Sequence, residues 1–364
     1  MFDGARILMA PLDWGLGHAA RCVPIIRSLL ELGAVPVIGA DKGPLTLLRA
    51  EFPQLEHVRI PGMEVRYGRG RSQAWAMAKQ FPAMLRQVRE EHKLFDHLRQ
   101  RLRLDAVISD QRFGLCAADI PSVLITHQVF PFSPLAQGLG RCINRQHIDR
   151  FDRCWIPDRE SAPGLSGELS HGGNMPRNAR YIGPLSRFAE LPAPADTEPH
   201  RVVAVISGPE PQRTIFKQLV LSQLASIEGR HLVVTGDPGS GEVHQENIRI
   251  LGHLNAEALC KAMKNAELIV GRTGYTTLMD LDAIGRGALL VPTPGQPEQE
   301  YLGRLHTQKS FHTVQKQHRL DIASALANPP ARFHTLQESS GLSPAMTDLA
   351  RLISDRLNAI HPPE

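Results

Sequence analysis

Short apolar runs alternate with stretches of helical periodicity along the whole chain. In the first half the runs ARILMAPL, AVPVIGA, DAVISD and PSVLITH are separated by helical patterns from about Ala19 to Leu32 and from Gln73 to Leu102. This alternation is typical of a parallel sheet whose strands are joined by crossover helices. The first half is therefore predicted to be an α/β domain.

A second series of apolar runs begins at RVVAVIS and continues through HLVVTG, NIRILG, AELIVG and ALLVP. The segment between the two series, LPAPADTEPH, has three prolines and no periodicity, which indicates a linker over residues 191–200. The predicted fold is α/β, with two Rossmann-like doubly wound parallel-sheet domains, 1–190 and 201–364, facing a cleft. The last helical pattern, from Pro344 to Ile360, could pack on either domain.

Length and composition agree with this organisation. The chain has 364 residues, and domains of roughly 150 residues each can bury their own cores. No apolar run is long enough to span a membrane and no signal peptide is visible, so we expect a cytoplasmic protein. The five cysteines are never spaced CxxC, which favours reduced core thiols and gives no zinc site.

Basic residues are concentrated in one stretch. Residues 59–103 hold eleven Lys or Arg against four acids, although the whole chain has a net charge of only +4. Because Trp75, Met77 and Phe81 lie among these charges, the stretch suits anionic lipid headgroups or an acidic acceptor, and it predicts peripheral contact with the inner membrane face. A pair of ordinary amphipathic helices with solvated arginines explains the same pattern. Nucleic acid is not expected, because aromatic residues are few.

The stretch from Leu268 to Tyr301 carries the clearest chemical pattern. An apolar run stops at Gly271-Arg272-Thr273-Gly274, a helix is predicted from Tyr275 to Ile284, and a second apolar run ends at Pro292. Free backbone N–H groups at such a turn face whatever lies above the end of the strand. The turn therefore predicts a phosphate site.

An earlier glycine-rich loop, Asp13-Trp14-Gly15-Leu16-Gly17-His18, follows the opening strand and permits two interpretations. Gly15, Gly17 and Ala20 satisfy the dinucleotide pattern G-x-G-x-x-G/A, and Asp41 ends the next strand, as in a nicotinamide or flavin enzyme. Against this interpretation, Gly15 lies three residues beyond Leu12, which is too loose for that turn.

His18 suggests different chemistry for the same loop. The positive terminus of a helix disfavours the imidazolium, so the ring would stay neutral and could accept a proton near pH 7. Asp13, or Asp110 at the end of another strand, could orient the ring, while Gly15 and Gly17 would let an acceptor approach the backbone. A histidine that merely caps the helix is the simpler alternative.

Other strand-end residues extend this picture. His127 and Gln128 follow the run PSVLIT, at the edge where doubly wound sheets bind ligands, and are candidate acceptor or sugar contacts. GDPGSGE (236–242) lacks the Gly-Lys-Ser/Thr ending of a P-loop. We interpret it as a loop beside the cleft.

Together these motifs resemble glycosyltransferases of the GT-B fold, closest to the family 28 group that includes the lipid II-forming N-acetylglucosaminyltransferase and the monogalactosyldiacylglycerol synthases. The resemblance covers both domains and is strongest from Gly252 to Tyr301. It implies His18 as the base and Arg213, in ISGPEPQR after Gly208, at the diphosphate. It also implies a clamp on uracil by Gly252-His253-Leu254, phosphate binding by Thr273 and Gly274, a ribose contact by Asp280, and reading of the donor sugar by Gln299 and Glu300.

Two departures from the family pattern concern the donor. Glu300 replaces a Gln, which leaves the identity of the sugar open, and Asp280 replaces a Glu that is one methylene longer. Asp280 and Asp282 form a DxD string, but residues two apart on a helix point to different faces, so we expect no shared metal and no cofactor. Arg213, Arg272 and helix N-termini would then offset the charge of the departing nucleotide.

The resulting hypothesis is an inverting, metal-independent transferase. The C-terminal domain would hold a UDP-sugar, and the N-terminal domain an acceptor that could be lipid-linked. Three alternatives stay open at this point: a UDP-sugar epimerase of the same fold, a nicotinamide-dependent oxidoreductase, and a nucleotide-sugar sensor without turnover.

Overall fold

A computed structural model describes residues 1–62, 73–132, 137–189, 191, 199–237, 239–308, 311–334 and 341–360; in residues 73–81, 137 and 360 it describes the backbone alone. Most of the predicted linker therefore lies outside the described residues. The same holds for the side chains of Trp75, Met77 and Phe81, on which the predicted membrane contact depends.

The first domain is built on a seven-stranded parallel sheet with the strand order β3-β2-β1-β4-β5-β6-β7. Its strands are β1 (Arg6–Pro11), β2 (Val35–Ala40), β3 (His57–Arg59), β4 (Ala106–Asp110), β5 (Ser122–Ile125), β6 (Arg153–Ile156) and β7 (Ala179–Tyr181). The helices are α1 (Leu16–Glu31), α2 (Lys42–Glu51), α3 (Gln73–Arg101), α4 (Gln137–Ile148) and α5 (Glu168–His171).

The second domain repeats the plan with the strand order β10-β11-β9-β8-β12-β13-β14, in which only β10 is antiparallel to its neighbour. The strands are β8 (Val202–Val205), β9 (His231–Val234), β10 (Val243–Gln245), β11 (Ile248–Leu251), β12 (Leu268–Gly271), β13 (Leu289–Leu290) and β14 (Thr313–Val314). The helices are α6 (Gln212–Leu224), α7 (Ala256–Asn265), α8 (Tyr275–Ala283), α9 (Pro297–Gln308), α10 (Ile322–Ala327) and α11 (Leu342–Ile360), with a short 3-10 helix at Gln317–Arg319.

The central strands are apolar on both faces because helices cover both faces of each sheet. Ile7, Met9 and Ile108 are fully buried in the first domain, as are Val203 and Val270 in the second. The two predicted series of parallel strands are thus present, and the α/β fold with two doubly wound sheets is confirmed.

Helix α11 follows the second domain in sequence but lies against the first. Arg153 donates to Asp348 at 2.5 Å, and Arg356 donates to Asp152 at 2.8 Å. Met346 and Leu349 join the apolar cluster that contains residues of α1. Helix α11 therefore ties the two domains together at the side of α1.

The helix α3, which carries the basic stretch, packs one face on the first sheet. Phe95, Leu98 and Leu102 are buried in an apolar cluster with Leu8 and Val107. Among the helices whose residues the structure describes, none has the length and apolar character needed to cross a membrane.

Candidate functional site

The two domains meet through residues that follow the carboxyl ends of their strands. Thr276, in the first turn of α8, donates through its hydroxyl to the carbonyl of Gly17 in the first turn of α1, at 3.1 Å. Tyr275 donates to the carbonyl of Pro157, just after β6, at 2.6 Å. The ligand-binding edges of the two sheets therefore face each other, as the doubly wound fold requires of a site shared by both domains.

His18 lies in the first turn of α1, whose N-cap residue is Gly15. Its Nδ1 is 3.1 Å from the Oδ2 of Asp110 and 2.9 Å from the Nη2 of Arg21, while Nε2 has no hydrogen-bond partner among the described residues. Burial lowers the pKa of His18, and the carboxylate of Asp110 offsets part of that effect. A neutral ring with an unengaged Nε2 is suited to accept a proton.

Arg21 organises this part of the site and was not predicted from the sequence. Its side chain is buried, and it donates to both carboxylate oxygens of Asp110, with Nε at 2.7 Å from Oδ2. Its Nη1 also lies 3.4 Å from the Nδ1 of His127. Burial alone would raise the pKa of Asp110, but Arg21 and His18 lower it to about 2, so the carboxylate is charged. The spacing of His18 and Arg21, three residues apart on one helix face, was the available signal.

Asp13 does not orient His18, which corrects one of the two alternatives for the catalytic pair. Its carboxylate accepts from the Nη2 of Arg112 at 2.8 Å, and Arg112 also donates to Glu91 at 2.9 Å. Burial raises the pKa of Asp13. The sequence could not reveal this, because the buried cation that holds Asp13 lies 99 positions away.

His127 and Gln128 do reach the domain interface, and a second unpredicted residue holds them there. Glu298, in the first turn of α9, accepts from Gln128 at 2.7 Å and lies 2.8 Å from the Nε2 of His127. The ring of His127 stacks on Tyr275 with centroids 4.0 Å apart. Burial would by itself raise the pKa of Glu298, but the hydrogen bond and charge of His127 together with the charges of Arg21 and His18 lower it.

The turn predicted to bind phosphate lies where α8 begins, with Gly274 as N-cap. The hydroxyl of Thr273 donates to the carbonyl of Gln299 at 2.8 Å, so the backbone of this turn, rather than that hydroxyl, is left to face a ligand. Gly274 has an ordinary extended conformation, with φ −74°. The N–H groups of the first turn of a helix are a ready anion site.

Arg272 does not extend towards a ligand, contrary to the prediction. Its guanidinium is fully buried over the ring of Phe216 and donates to the carbonyls of Gln212 and Val291, at 3.0 and 3.3 Å. Burial lowers the pKa of Arg272 to about 9, so it remains a cation at neutral pH. Its guanidinium is therefore used in contacts within the second domain.

Arg213 and Gly208 follow β8 and lie at the same edge. Arg213 donates to Glu210 at 2.9 Å and to the carbonyl of Gly236 at 3.4 Å, and it is partly exposed. Gly208 has a φ of 105°, which a residue with a side chain rarely adopts. A Cβ there would lie 3.8 Å from the hydroxyl of Thr293, which is buried and has no partner among the described residues.

Gln299 and Glu300, which the resemblance assigns to the donor sugar, each make a hydrogen bond within the second domain. The Oε1 of Gln299 accepts from the backbone N–H of Thr293, and a carboxylate oxygen of Glu300 accepts from that of Gly295, both at 2.9 Å. They hold the loop after β13 in place. Glu298, one position earlier, is the acid that reaches the first domain.

Asp280 lies on α8 and is buried against the segment that follows β7. It accepts from the hydroxyl of Ser186 at 2.6 Å, and its Oδ2 is 4.0 Å from the Nε of Arg187. Burial raises the pKa of Asp280 to about 6 despite these partners. Asp282 pairs instead with Arg159 at 2.6 Å, so the two acids do not converge. In the part of the chain that the structure describes, no group of three or more His, Cys, Asp or Glu residues is placed to hold a metal ion.

The Gly252-His253-Leu254 segment lies beside Asp237 and Ser240. A Cβ at Gly252 would collide with the carbonyl oxygens of Asp237 and Ser240, so this glycine serves the close approach of that loop. Burial lowers the pKa of His253, whose Nε2 is buried without a partner among the described residues. Leu254 packs on the main apolar cluster.

The glycine-rich loop of the first domain does not present both of its glycines to a ligand. A Cβ at Gly17 would lie 2.9 Å from the hydroxyl oxygen of Thr276, so Gly17 permits contact between the domains, whereas Gly15, with φ 136°, faces open space. Asp41 accepts from the Nε of Arg59 at 2.7 Å. These contacts occupy two of the residues on which the dinucleotide interpretation depends.

Two doubly wound domains whose strand ends face each other form a GT-B architecture. Comparison of folds agrees. The spinosyn rhamnosyltransferase SpnG superposes with a TM-score of 0.61 at 16% identity over 96% of both chains, and SnogD from Streptomyces nogalater with 0.56 at 16% identity over 97% of this chain and 96% of that one.

Residues 202–326 match the family model of the glycosyltransferase family 28 C-terminal domain. A UDP-N-acetylglucosamine--N-acetylmuramyl-(pentapeptide) pyrophosphoryl-undecaprenol N-acetylglucosamine transferase of Methylobacterium radiotolerans is 28% identical over 156 residues, which are 40% of each chain. The chain thus spans less than half the length of this curated relative in the match. The predicted family 28-like character is confirmed.

Proposed function

We propose that the protein is a glycosyltransferase that moves a sugar from a UDP-sugar to an acceptor hydroxyl, with inversion and without a metal. The observation that carries the proposal is His18, neutral and held through Nδ1 by Asp110, in the helix turn that touches the first turn of α8. A base and an anion-binding turn brought together across two domains are what transfer from a nucleotide-sugar needs.

In the proposed reaction, the Nε2 of His18 takes the proton of the acceptor hydroxyl while its oxygen attacks the anomeric carbon. The bond from that carbon to the diphosphate oxygen breaks, and UDP leaves with the electron pair. Because attack and departure occur on opposite faces, the anomeric configuration inverts. The first-turn N–H groups of α8 and the partly exposed Arg213 would stabilise the charge of the departing diphosphate.

The donor and acceptor are proposed from the curated relative and from the charge of the chain. The curated relative is named for a UDP-N-acetylglucosamine donor and a pyrophosphoryl-undecaprenol acceptor, which favours a UDP-sugar and a lipid-linked acceptor here. The basic residues 59–103 are in keeping with an acceptor at the inner membrane face. Sedimentation with anionic vesicles at low salt and release at high salt would test that location.

His18→Gln should abolish most transfer, because a glutamine amide cannot take the proton of the acceptor hydroxyl. We expect turnover to fall by about 10²- to 10⁴-fold, measured as UDP released from a panel of UDP-sugars with lipid-linked and soluble acceptors. UDP affinity, measured by calorimetry, should stay close to that of the wild type, since His18 belongs to the acceptor-side domain.

His57→Gln is the matched control, since this exposed histidine lies on the edge strand β3. Unchanged turnover in H18Q would remove His18 as the base. Formation of an epimer from the UDP-sugar alone, or binding of UDP-sugars without turnover against every acceptor, would contradict transfer and favour an epimerase or a sensor.

A further inference from the structure

Gln111 is held in a backbone conformation that residues with a side chain rarely adopt. Its φ is 57°, in the left-handed region, where a Cβ costs free energy and glycine is preferred. Four other described residues with a side chain share a positive φ, and all four are exposed: Asp3, Lys42, Arg103 and Glu246. Gln111 is instead half-buried, which directs attention to what its side chain does there.

The side chain of Gln111 lies on the acceptor side of the proposed site. Gln111 directly follows Asp110, the carboxylate that holds His18, at the end of β4. Its Nε2 donates to the hydroxyl oxygen of Thr126 at 3.0 Å, over the end of the neighbouring strand β5. The same oxygen accepts from the backbone N–H of Gln128 at 3.0 Å. The amide is therefore anchored beside the pair formed by the base and its carboxylate.

One end of this amide is still available for a ligand. Nε2 is engaged by Thr126, whereas Oε1 has no hydrogen-bond partner among the described residues and is not fully buried. We propose that Gln111 is a specificity-determining residue, whose Oε1 accepts from a second hydroxyl of the acceptor, next to the hydroxyl that loses its proton to His18. This inference rests on the proposed function and names an acceptor class, a molecule with neighbouring hydroxyls such as a sugar or another polyol.

The chemistry of the two contacts explains why both are useful. A carboxamide oxygen is a neutral acceptor, so it binds a hydroxyl, which can donate, and gains nothing from an ionised phosphate oxygen, which cannot. With one hydroxyl at His18 and its neighbour at Gln111, the acceptor is fixed at two points, and only one of its hydroxyls meets the base. A lone alcohol lacks the second contact and leaves Oε1 unpaired.

The test compares the full-length wild type with Gln111→Met, which keeps the length of the side chain but removes both ends of the amide. UDP release is measured with octyl β-glucoside and monoolein, which carry neighbouring hydroxyls, and with octan-1-ol and dioleoylglycerol, which carry a single one. We expect the wild type to use the polyols and to use the single alcohols poorly. Q111M should raise KM for the polyols about three- to tenfold, the effect of one lost neutral hydrogen bond, with UDP affinity unchanged.

Deletions in the acceptor distinguish contact from mere support of the loop. Among monodeoxy analogues of octyl β-glucoside, the one without the second hydroxyl should lose this factor in the wild type and lose nothing further in Q111M, because both deletions remove the same interaction. Gln111→Gly, which suits the left-handed φ, should melt close to the wild type and still raise KM.

Glu246→Gly is the matched control, because Glu246 shares a positive φ but lies in the turn before β11, at the amino edge of the second sheet. It should leave KM unchanged. Wild-type KM values in Q111M, a rise in Q111G alone, or equal use of single alcohols and polyols by the wild type would each overturn the role of Gln111, and so would turnover with none of these four acceptors; the proposed function would stand. If the wild type releases UDP with no acceptor of the wider panel, the proposed function fails and the inference fails with it.

Discussion

At the residue scale, the behaviour of His18 depends on which ring nitrogen carries the proton. The Nδ1 of His18 lies within hydrogen-bond distance of Asp110, an acceptor, and of Arg21, a donor. When Nδ1 carries the proton and donates to Asp110, Nε2 keeps a lone pair and can act as a base. Arg21 donates to both oxygens of Asp110 and so holds this carboxylate in place. The carboxylate in turn favours the tautomer of His18 that carries its proton on Nδ1.

Asp110→Asn should shift the pH dependence of transfer. The base form of His18 is neutral, so activity is present above its folded pKa and is lost as the pH falls through that value, which lies below 6.5. Because Asp110 raises the pKa of His18, its replacement should move this acid limb to still lower pH and reduce turnover. Stability should fall by about 3–5 kcal/mol, since Arg21 loses its buried partner. The pH profile of kcat measures the first effect, and thermal unfolding measures the loss of stability.

Asp13→Asn separates the two aspartates that the sequence left as alternatives. Asp13 pairs with Arg112 and makes no hydrogen bond with His18. The variant should therefore lose stability without moving the acid limb. If D13N shifts the acid limb of the pH profile as far as D110N does, Asp13 also orients His18 and the assignment to Asp110 alone is wrong.

At the element scale, the start of α1 is shaped by the start of α8. The hydroxyl of Thr276 reaches the carbonyl of Gly17, and the absence of a Cβ at Gly17 permits this approach. From the sequence alone, Gly17 is expected to let an acceptor molecule approach the backbone. A glycine in a motif signals close approach, but the pattern cannot tell whether a ligand or another domain approaches.

Gly17→Ala distinguishes packing from helix propensity. Propensity alone predicts that Ala stabilises α1 by up to about 1 kcal/mol. The contact predicts the opposite, a loss of about 1–3 kcal/mol, because the new Cβ would lie 2.9 Å from the Thr276 hydroxyl oxygen. Adding Thr276→Ala removes that atom and should restore most of the loss in thermal unfolding. A stabilised G17A single variant would show that the helices do not pack this closely.

Much of the element pattern could be predicted from the sequence, for physical reasons. Buried parallel strands are continuous apolar runs, so β1, β4, β8 and β12 can be recognised in the sequence. Polar residues at the ends of such strands, for example Asp110, are expected at the edge of the sheet that binds ligands. Short strands such as β13 and β14, of two residues each, carry too little pattern to indicate a strand by themselves. Glu298 was missed because its partners, His127 and Gln128, come from a distant segment, which local spacing does not record. For Arg21 the spacing from His18 was a signal, but the distant partner that gives it a role, Asp110, was not visible from that spacing.

At the scale of the whole molecule, the two domains are joined around the site by polar contacts. Glu298 of the second domain binds Gln128 and His127 of the first, and Arg159 pairs with Asp282 on α8. The chain Glu298, His127, Arg21, Asp110 runs from one domain to His18 in the other. Contact between the domains and the arrangement of the base are therefore coupled through the same side chains.

Glu298→Ala should loosen the domains without weakening nucleotide binding. Each hydrogen bond to a charged group contributes about 1.5–3 kcal/mol, so loss of those to Gln128 and His127 should favour a more open arrangement and reduce kcat about tenfold or more. The radius of gyration from small-angle X-ray scattering should rise, while UDP affinity stays near that of the wild type, since Glu298 lies outside the turn proposed to bind the diphosphate.

Glu300→Ala, two positions along the same helix, is the control, because among the residues described the side chain of Glu300 binds only Gly295. If E298A keeps the wild-type radius and turnover while E300A does not, the joint between the domains lies in the loop after β13 rather than in the link from Glu298 to His127.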